Sequence, residues 1–429
     1  MRRMRAMREC DRRDFLKGAL SAAALAAVSH GAWAQGDDEV RHAVIGIGNQ
    51  GRNHCGLFSA VGGCRVVAVA DVDPERREAG RDIASEHGPA EAYEDFRAIL
   101  DDDSVHSVSV ATCDHWHTPV ALAALAAGKH VYVEKPCSHN LHEGHVLAQA
   151  AADTGLCVQH GTQSRSGEGI QEAMVFLAEG GLGTLRAAKA IDHQLRAPIG
   201  RAEPEDPPPG VDYDLWLGPA PKVPFTRNRW HYNWHWFWDY GTGDIGNDGI
   251  HQLDVARWGL GAGLPLRTTA TGGQLFYDDD HQTPDTQVVT YDYGDRYLIY
   301  EMRLWTPYPL EGHHNGVAFY GDDGRLDVGG DGCVVTYAGG DTERLGGGAD
   351  TQANVGNFVE CARAGDPAGL NAPISEGVVS AALAHLGNIG TRVGRPLEYD
   401  AETRSFPGDE EATALASRDY REGYELPQV

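Results

Sequence analysis

Arg41-His42-Ala43-Val44-Ile45-Gly46-Ile47-Gly48-Asn49-Gln50-Gly51 reads as a short strand that runs, through three spaced glycines, into a helix extending to about Ala60. A second β-branched strand, Arg65-Val66-Val67-Ala68-Val69-Ala70, follows and ends in Asp71, twenty residues past Gly51. G-x-G-x-x-G alone is weak, but a preceding strand, a following helix and an acid at this distance together specify a dinucleotide cradle. The first glycine permits the tight turn, the second lets backbone N–H groups approach a pyrophosphate, and the third lets the helix pack on the strand. The helix N-terminus then favours the negative charge. Asp71 is placed to accept the adenosine ribose hydroxyls and to repel a 2′-phosphate, so NAD is expected rather than NADP.

The α/β alternation continues. Val105 to Ala111 reads as a buried strand ending in Thr112-Cys113-Asp114-His115-Trp116-His117-Thr118-Pro119. An alanine-rich helix is expected from Val120 to Ala127, closed by Gly128, and the next strand, His130 to Val133, ends in Glu134-Lys135-Pro136. Ligands in such sheets lie beyond the carboxyl ends of the strands, so both tails face one crevice. Lys135 is one of only five lysines and stands at a strand end, which makes it a catalytic candidate; the plainer reading is a surface ion pair with Glu134.

Thirty-six basic against 62 acidic side chains give a net charge of −26, which excludes the basic face that nucleic acid requires. Mean hydropathy is −0.39, and the only long apolar run lies within the first 35 residues, so a polytopic membrane protein is excluded. Arg2, Arg3, Arg5 and Arg8 lead into Arg12-Arg13-Asp14-Phe15-Leu16-Lys17, a mild apolar run and Ala32-Trp33-Ala34. Residues 1–34 thus read as a twin-arginine export signal with small-residue cleavage, without the cysteine of a lipid anchor. The expected location is periplasmic or extracellular. The mature chain would hold 29 basic and 59 acidic groups, a net −30, on a lysine-poor surface suited to high salt. Its seven cysteines have no metal-site spacing and read as buried small hydrophobes, and no metal is indicated.

Taken together, Gly46-Ile-Gly48-Asn-Gln-Gly51, Ala70-Asp71, Asp114-His-Trp-His117 and Ala126-Ala-Gly-Lys-His-Val-Tyr-Val-Glu-Lys-Pro136 resemble the glucose–fructose oxidoreductase / inositol dehydrogenase (Gfo/Idh/MocA) family, in its exported branch. The similarity continues through Leu215-Trp-Leu-Gly-Pro-Ala-Pro221, the stretch from Phe237 to His251, and Gly387 to Arg395. It implies an α/β fold: a Rossmann dinucleotide-binding domain (40–158), then an α/β domain with a large open, mainly antiparallel sheet (159–400) and a C-terminal tail (401–429) packed on both. Leu185 to Asp192, Gln287 to Tyr293 and Tyr297 to Arg303 read as strands of that sheet, and Asn357 to Ala364 and Ser375 to Leu386 as helices. The exposed face of such a sheet often makes the subunit contact in this family, so the resemblance implies a homo-oligomer.

The resemblance also assigns roles. Gly46, Gly48, Asn49, Gln50, Gly51, Asp71, Thr112, His115, His117, Glu134 and Lys135 would contact NAD. His251, in Gly249-Ile250-His251 with Asp254 three residues on, would be the general acid/base, because imidazole titrates near neutrality. Lys135 would hydrogen-bond the same substrate oxygen. Many members carry an aspartate four residues before this histidine; here Asn247 stands there and Asp248 lies three before. Either Asp248 substitutes from a shifted turn or His251 works without a carboxylate partner. Seven aromatics between Trp230 and Tyr240, among them Trp238 and Tyr240, suit a carbohydrate platform or loop packing. Arg165 could reach substrate or lie on the surface.

Export outside the cytoplasm removes any free dinucleotide pool, which favours a tightly held NAD reduced and reoxidised within one cycle. One expectation is hydride transfer from a sugar CH–OH to a second carbonyl. Another is transient sugar oxidation that acidifies a neighbouring C–H, so that elimination and water addition cleave a glycosidic bond. A third, of another class, is a sugar-binding protein that has lost turnover.

Overall fold

The computed structural model describes residues 39–330 and 332–429, and the export signal expected over 1–34 lies outside them. Its first sheet has six parallel strands: β1 (Val40–Ile45), β2 (Cys64–Ala70), β3 (Glu91–Tyr93), β4 (Ser107–Val110), β5 (His130–Val133) and β6 (Val158–His160), in the order β3-β2-β1-β4-β5-β6. The central strands are buried on both faces, as their unbroken Val/Ala/Ile runs require. The order reverses between β1 and β4, and the crevice outside their carboxyl ends is where such sheets bind ligands.

The second sheet has eight strands: β7 (Leu185–His193), β8 (Arg267–Gly273), β9 (Thr286–Asp292), β10 (Tyr297–Arg303), β11 (Asn315–Gly321), β12 (Gly324–Gly329), β13 (Gly332–Tyr337) and β14 (Thr342–Gly346). They run β14-β13-β12-β11-β7-β10-β9-β8, with only β7 and β10 parallel, so the sheet is mainly antiparallel as expected. Burial alternates along β9 and β10, because one face packs and the other meets solvent. The packed face carries the helices Gly249–Leu260 and Ile374–Val393. The strands expected in this sheet are present to within a residue, whereas the last two helices begin earlier or run longer, as Thr351–Ala364 and Ile374–Val393. Asp350 caps the first of these through the Ala353 N–H, a local hydrogen bond that a hydrophobic-pattern reading passes over.

A larger difference concerns the helix expected from Val120. It begins at Asp114 and carries Pro119 inside it, so Asp114, His115, Trp116 and His117 form its first turn instead of a strand tail. Proline lacks the N–H that would bond the carbonyl four residues back, which is that of His115. Arg418 Nη2 donates to that carbonyl instead, at 2.7 Å, from the far end of the chain. Tyr424 of the same tail lies edge-on to Trp116.

Candidate active site

Strand β1 delivers Gly46 at φ +88°, and a Cβ there would lie 2.7 Å from the Ala111 and Thr112 backbone. A Cβ on Gly51 would sit 1.8 Å from the Gly46 carbonyl oxygen. The turn and the helix Asn49–Ser59 can therefore close on the strand only with these glycines, which leaves backbone at the helix N-terminus facing a cavity of about 480 Å³. Asp71 borders the same cavity. Its carboxylate accepts the Ile47 N–H (2.6 Å) and the Asp73 N–H (2.9 Å), which fixes its orientation and leaves a lone pair on each oxygen for hydroxyl groups. Burial pushes the Asp71 carboxyl up, and the two N–H donors and Arg76 oppose that shift. Arg76, a residue the sequence reading passed over, lines the cavity beside Asp71.

These features fit a dinucleotide: a glycine cradle that any side chain would fill, an anion-favouring helix end, and an oriented acid one strand away. Gly51→Ala is expected to weaken NAD binding at least tenfold, about 1.4 kcal/mol, because the new methyl group collides with the cradle itself. Titration of the purified variant with NAD checks this.

Deeper in the cavity, Glu134 is 5% exposed and accepts Gln50 Nε2 (2.9 Å) and His54 Nε2 (3.0 Å). Burial works to raise its pKa, but His54, Lys135 and Gln50 outweigh it and hold the carboxyl at about 2. Glu134 is thus an inward-facing brace for the helix that carries Gln50 and for its neighbour Lys135. The surface ion-pair reading of Lys135 is set aside, because its Nζ crosses to the Asn247 carbonyl, with Asn247 Oδ1 3.5 Å away.

Lys135, Asn247, Asp248 and His251 all line the same cavity, with Thr112, His117, Gly48 and Asn49 nearer the glycine turn. The helix carrying His251 starts at Gly249, where a Cβ would lie 2.3 Å from Tyr300 Oη; that close approach seats the helix on the sheet. His251 Nδ1 is buried without a partner, and burial, then the charge of Lys135, lowers the imidazole below its ordinary 6.5. The Asp248 carboxylate does not bond His251. It takes Gln194 Nε2 and Asn315 Nδ2, and lies 3.7 Å from Arg196. Asp248 acts on His251 by charge rather than as a hydrogen-bonded relay.

Beneath this group lies a carboxylate cluster that the sequence did not reveal. Asp244 is paired with Arg196 (3.0 Å) and orients Asn247 Nδ2 (2.8 Å), and Asp192 accepts Tyr300 Oη (3.0 Å). Burial and the neighbouring charges of Asp244 and Asp248 push Asp192 well above the usual carboxylate range. Register brings these groups together, since Asn315 of β11 pairs with Asp192 of β7.

Four expected contacts fall elsewhere. His115 is fully buried, its ring spanning the carbonyls of Tyr240 and Trp216, so it pins helix to loop. Arg165 is 6% exposed and clamps Asp254 at 2.8 Å, away from the cavity. Tyr240 is core, packed 4.8 Å from Trp216, and Trp238 faces a different cavity. The aromatic loop winds as the 3-10 helix His231–Trp236, whose three-residue period puts His231 and Trp234 on one face; these and Tyr232 border the site instead.

Comparison with known proteins agrees with this architecture. Residues 40–162 match the model of an oxidoreductase family, NAD-binding Rossmann fold, and residues 198–299 and 339–426 match the C-terminal alpha/beta domain of the same family. Residues 9–29 match a twin-arginine translocation pathway signal sequence. A glycosyl hydrolase family 109 protein of Saccharopolyspora erythraea is 36% identical over 129 residues, 28% of each chain. Levoglucosan dehydrogenase of Pseudarthrobacter phenanthrenivorans is 30% identical over 194 residues, 45% of this chain and 42% of that one. These matches span between about a quarter and a half of each of these two curated relatives. The WlbA dehydrogenase of Bordetella pertussis, solved with NADH and UDP-GlcNAcA, superposes with a TM-score of 0.65 at 18% identity, over 84% of this chain and 99% of that one.

Proposed function

The chain belongs to the Gfo/Idh/MocA oxidoreductase family, and from that premise we propose that it oxidises a CH–OH group of a sugar or sugar derivative with NAD held in the cavity between the glycine turn and His251. The observation that carries this reading is the convergence of Lys135, Asn247 and His251 at one end of a cavity whose other end is the dinucleotide cradle. NAD bound there supplies the hydride acceptor. His251 takes the hydroxyl proton, Lys135 stabilises the developing negative charge on the same oxygen, and Asn247, oriented by Asp244, holds the hydroxyl in place. Asp248, held by Gln194 and Asn315, supports the imidazolium that forms. Tyr232 and Trp234 offer faces for the sugar ring.

A twin-arginine signal implies export of a folded chain, so the cofactor is loaded before export, retained, and recycled in the periplasm or beyond the cell. The relative named a family 109 glycosyl hydrolase supports a second outcome at the same residues, in which transient oxidation leads to glycosidic cleavage. The solvent-facing side of the second sheet supports assembly as a homo-oligomer. Mature protein purified without added nucleotide, denatured and analysed by mass should release near-stoichiometric NAD and turn over sugar with none added. An empty protein that also fails to bind NAD overturns the proposal.

The pH dependence has a definite sign. His251 must be neutral to accept a proton, and its pKa lies below 6.5. The rate of sugar oxidation, as kcat/KM, should therefore rise with pH through that lowered value and level off by about pH 7. A profile between pH 5 and 8 checks this, and His251→Gln should lose the acid limb together with most of the rate.

A further inference from the structure

A second cavity, of about 310 Å³, lies behind the loop that leads into the active-site helix Gly243–Asn247, and it shares no lining residue with the first. Five separate segments build it: the turn after β5, the loop at Pro221, the aromatic loop, the end of the helix Ile374–Val393, and the C-terminal tail. Its polar groups are held in place and left unpaired. Asn140 is 5% exposed; its Oδ1 accepts the Glu143 N–H at 3.0 Å, so its Nδ2 is the free end and has no partner. Asn388, also 5% exposed, donates Nδ2 to the Thr242 carbonyl at 2.7 Å, which leaves Oδ1 without a donor. Both amide orientations are thus fixed by backbone partners.

Two guanidinium groups join them. Arg418 spends Nη2 on Glu143 and the His115 carbonyl, while its Nε and Nη1 are buried with no acceptor. Arg392 lies 4.9 Å over the Trp238 ring and makes no hydrogen bond or ion pair among the described residues. Asp239 and Asp419 line the same cavity, and the Asp239 charge reaches both guanidinium groups. An unmet buried donor or acceptor costs about 1–3 kcal/mol, and four such atoms belong to three residues that line this one polar cavity, where a ligand reached by a small side-chain rotation would meet them.

We propose that this cavity binds a small polyhydroxylated carboxylate, such as a sugar acid, at a site separate from the catalytic cleft. The carboxylate would take Arg392 and Arg418, with Asn140 Nδ2 as a third donor, and the hydroxyls would donate to Asn388 Oδ1 and Asp239. Forked guanidinium donors match a carboxylate in a way that a neutral sugar cannot reproduce. Burial raises the Asp239 carboxyl above its usual range, and the charges of Arg229, Arg418 and Arg392 oppose that shift.

Calorimetric titration of the mature protein with sodium gluconate tests this. One equivalent should bind, equally well to the His251→Gln protein. Arg392→Met and Asn388→Leu should each weaken binding at least tenfold, the first with an unchanged unfolding temperature and the second with a lowered one, because the Thr242 carbonyl loses its donor. Neither residue holds the tail, so either variant serves if the other fails to fold. Glucose, inorganic phosphate and glycine should give no comparable heat. Absence of gluconate binding at millimolar concentration overturns the proposal. So does binding that survives both substitutions, binding lost with His251→Gln, or equal binding of phosphate or glycine. None of these outcomes depends on turnover or on bound NAD, so failure here leaves the catalytic reading standing.

Discussion

Lys135→Met is expected to lower sugar turnover by roughly 10²–10⁴-fold while leaving the NAD content and the fold unchanged. Methionine keeps the length of the side chain and removes its charge and its donors. The lysine reaches across the cavity to Asn247, so its ammonium lies where a substrate oxygen beside His251 would gather charge. Steady-state rates measured beside a sugar-binding titration separate the readings. An enzyme loses rate and keeps nucleotide, whereas a protein that only binds sugar shows no rate to lose and an affinity almost unchanged.

Arg165→Met should destabilise the protein by about 3–5 kcal/mol, the range for breaking a buried ion pair from one side. Arg165 and Asp254 are 6% and 0% exposed and meet in a forked contact, Nε to Oδ2 at 2.8 Å and Nη2 to Oδ1 at 2.9 Å. Burial works to raise the Asp254 carboxyl, and Arg165 outweighs it and lowers the pKa. Removing the cation leaves a buried carboxylate with Ser380 Oγ at 2.6 Å and Arg257 at 3.9 Å. Denaturant unfolding should show the loss, and the double variant Arg165→Met, Asp254→Leu should recover much of it, since removing both partners also removes the stranded charge. Asp254 follows His251 by one helical turn, so the clamp also sets how firmly that helix is seated.

The sequence made legible those parts of the site encoded by spacing along the chain. The glycine turn, Asp71, the strand-end Lys135 and the Gly-Ile-His step at 249–251 each depend on neighbours within about twenty residues; Gly46, Gly48, Asp71, Lys135 and His251 border one cavity, while Gly51 and Gly249 allow the close packing that seats their helices. Arg196, Gln194, Asp192 and Asn315 were out of reach because strand pairing brings them together: β7 and β11 are more than a hundred residues apart, and their register was unknown. The aromatic run from Trp230 to Tyr240 suits a platform or loop packing equally, and the structure divides it: the 3-10 turn His231–Trp236 presents Tyr232 and Trp234 to the cavity, whereas Trp238 and Tyr240 lie past the turn, one at a second cavity and one in the core, a division that aromatic spacing does not encode. His115 looked like a ligand contact for a related reason: its ring meets two carbonyls that lie more than a hundred residues further along the chain.

The carbonyl that Pro119 leaves open is closed by Arg418, 303 residues further along the chain than His115. Translation runs from the amino end, so the dinucleotide domain emerges with that gap and keeps it until Arg418 has left the ribosome. A product cut short anywhere upstream therefore carries an unfinished first turn in the helix beside its own cofactor cleft.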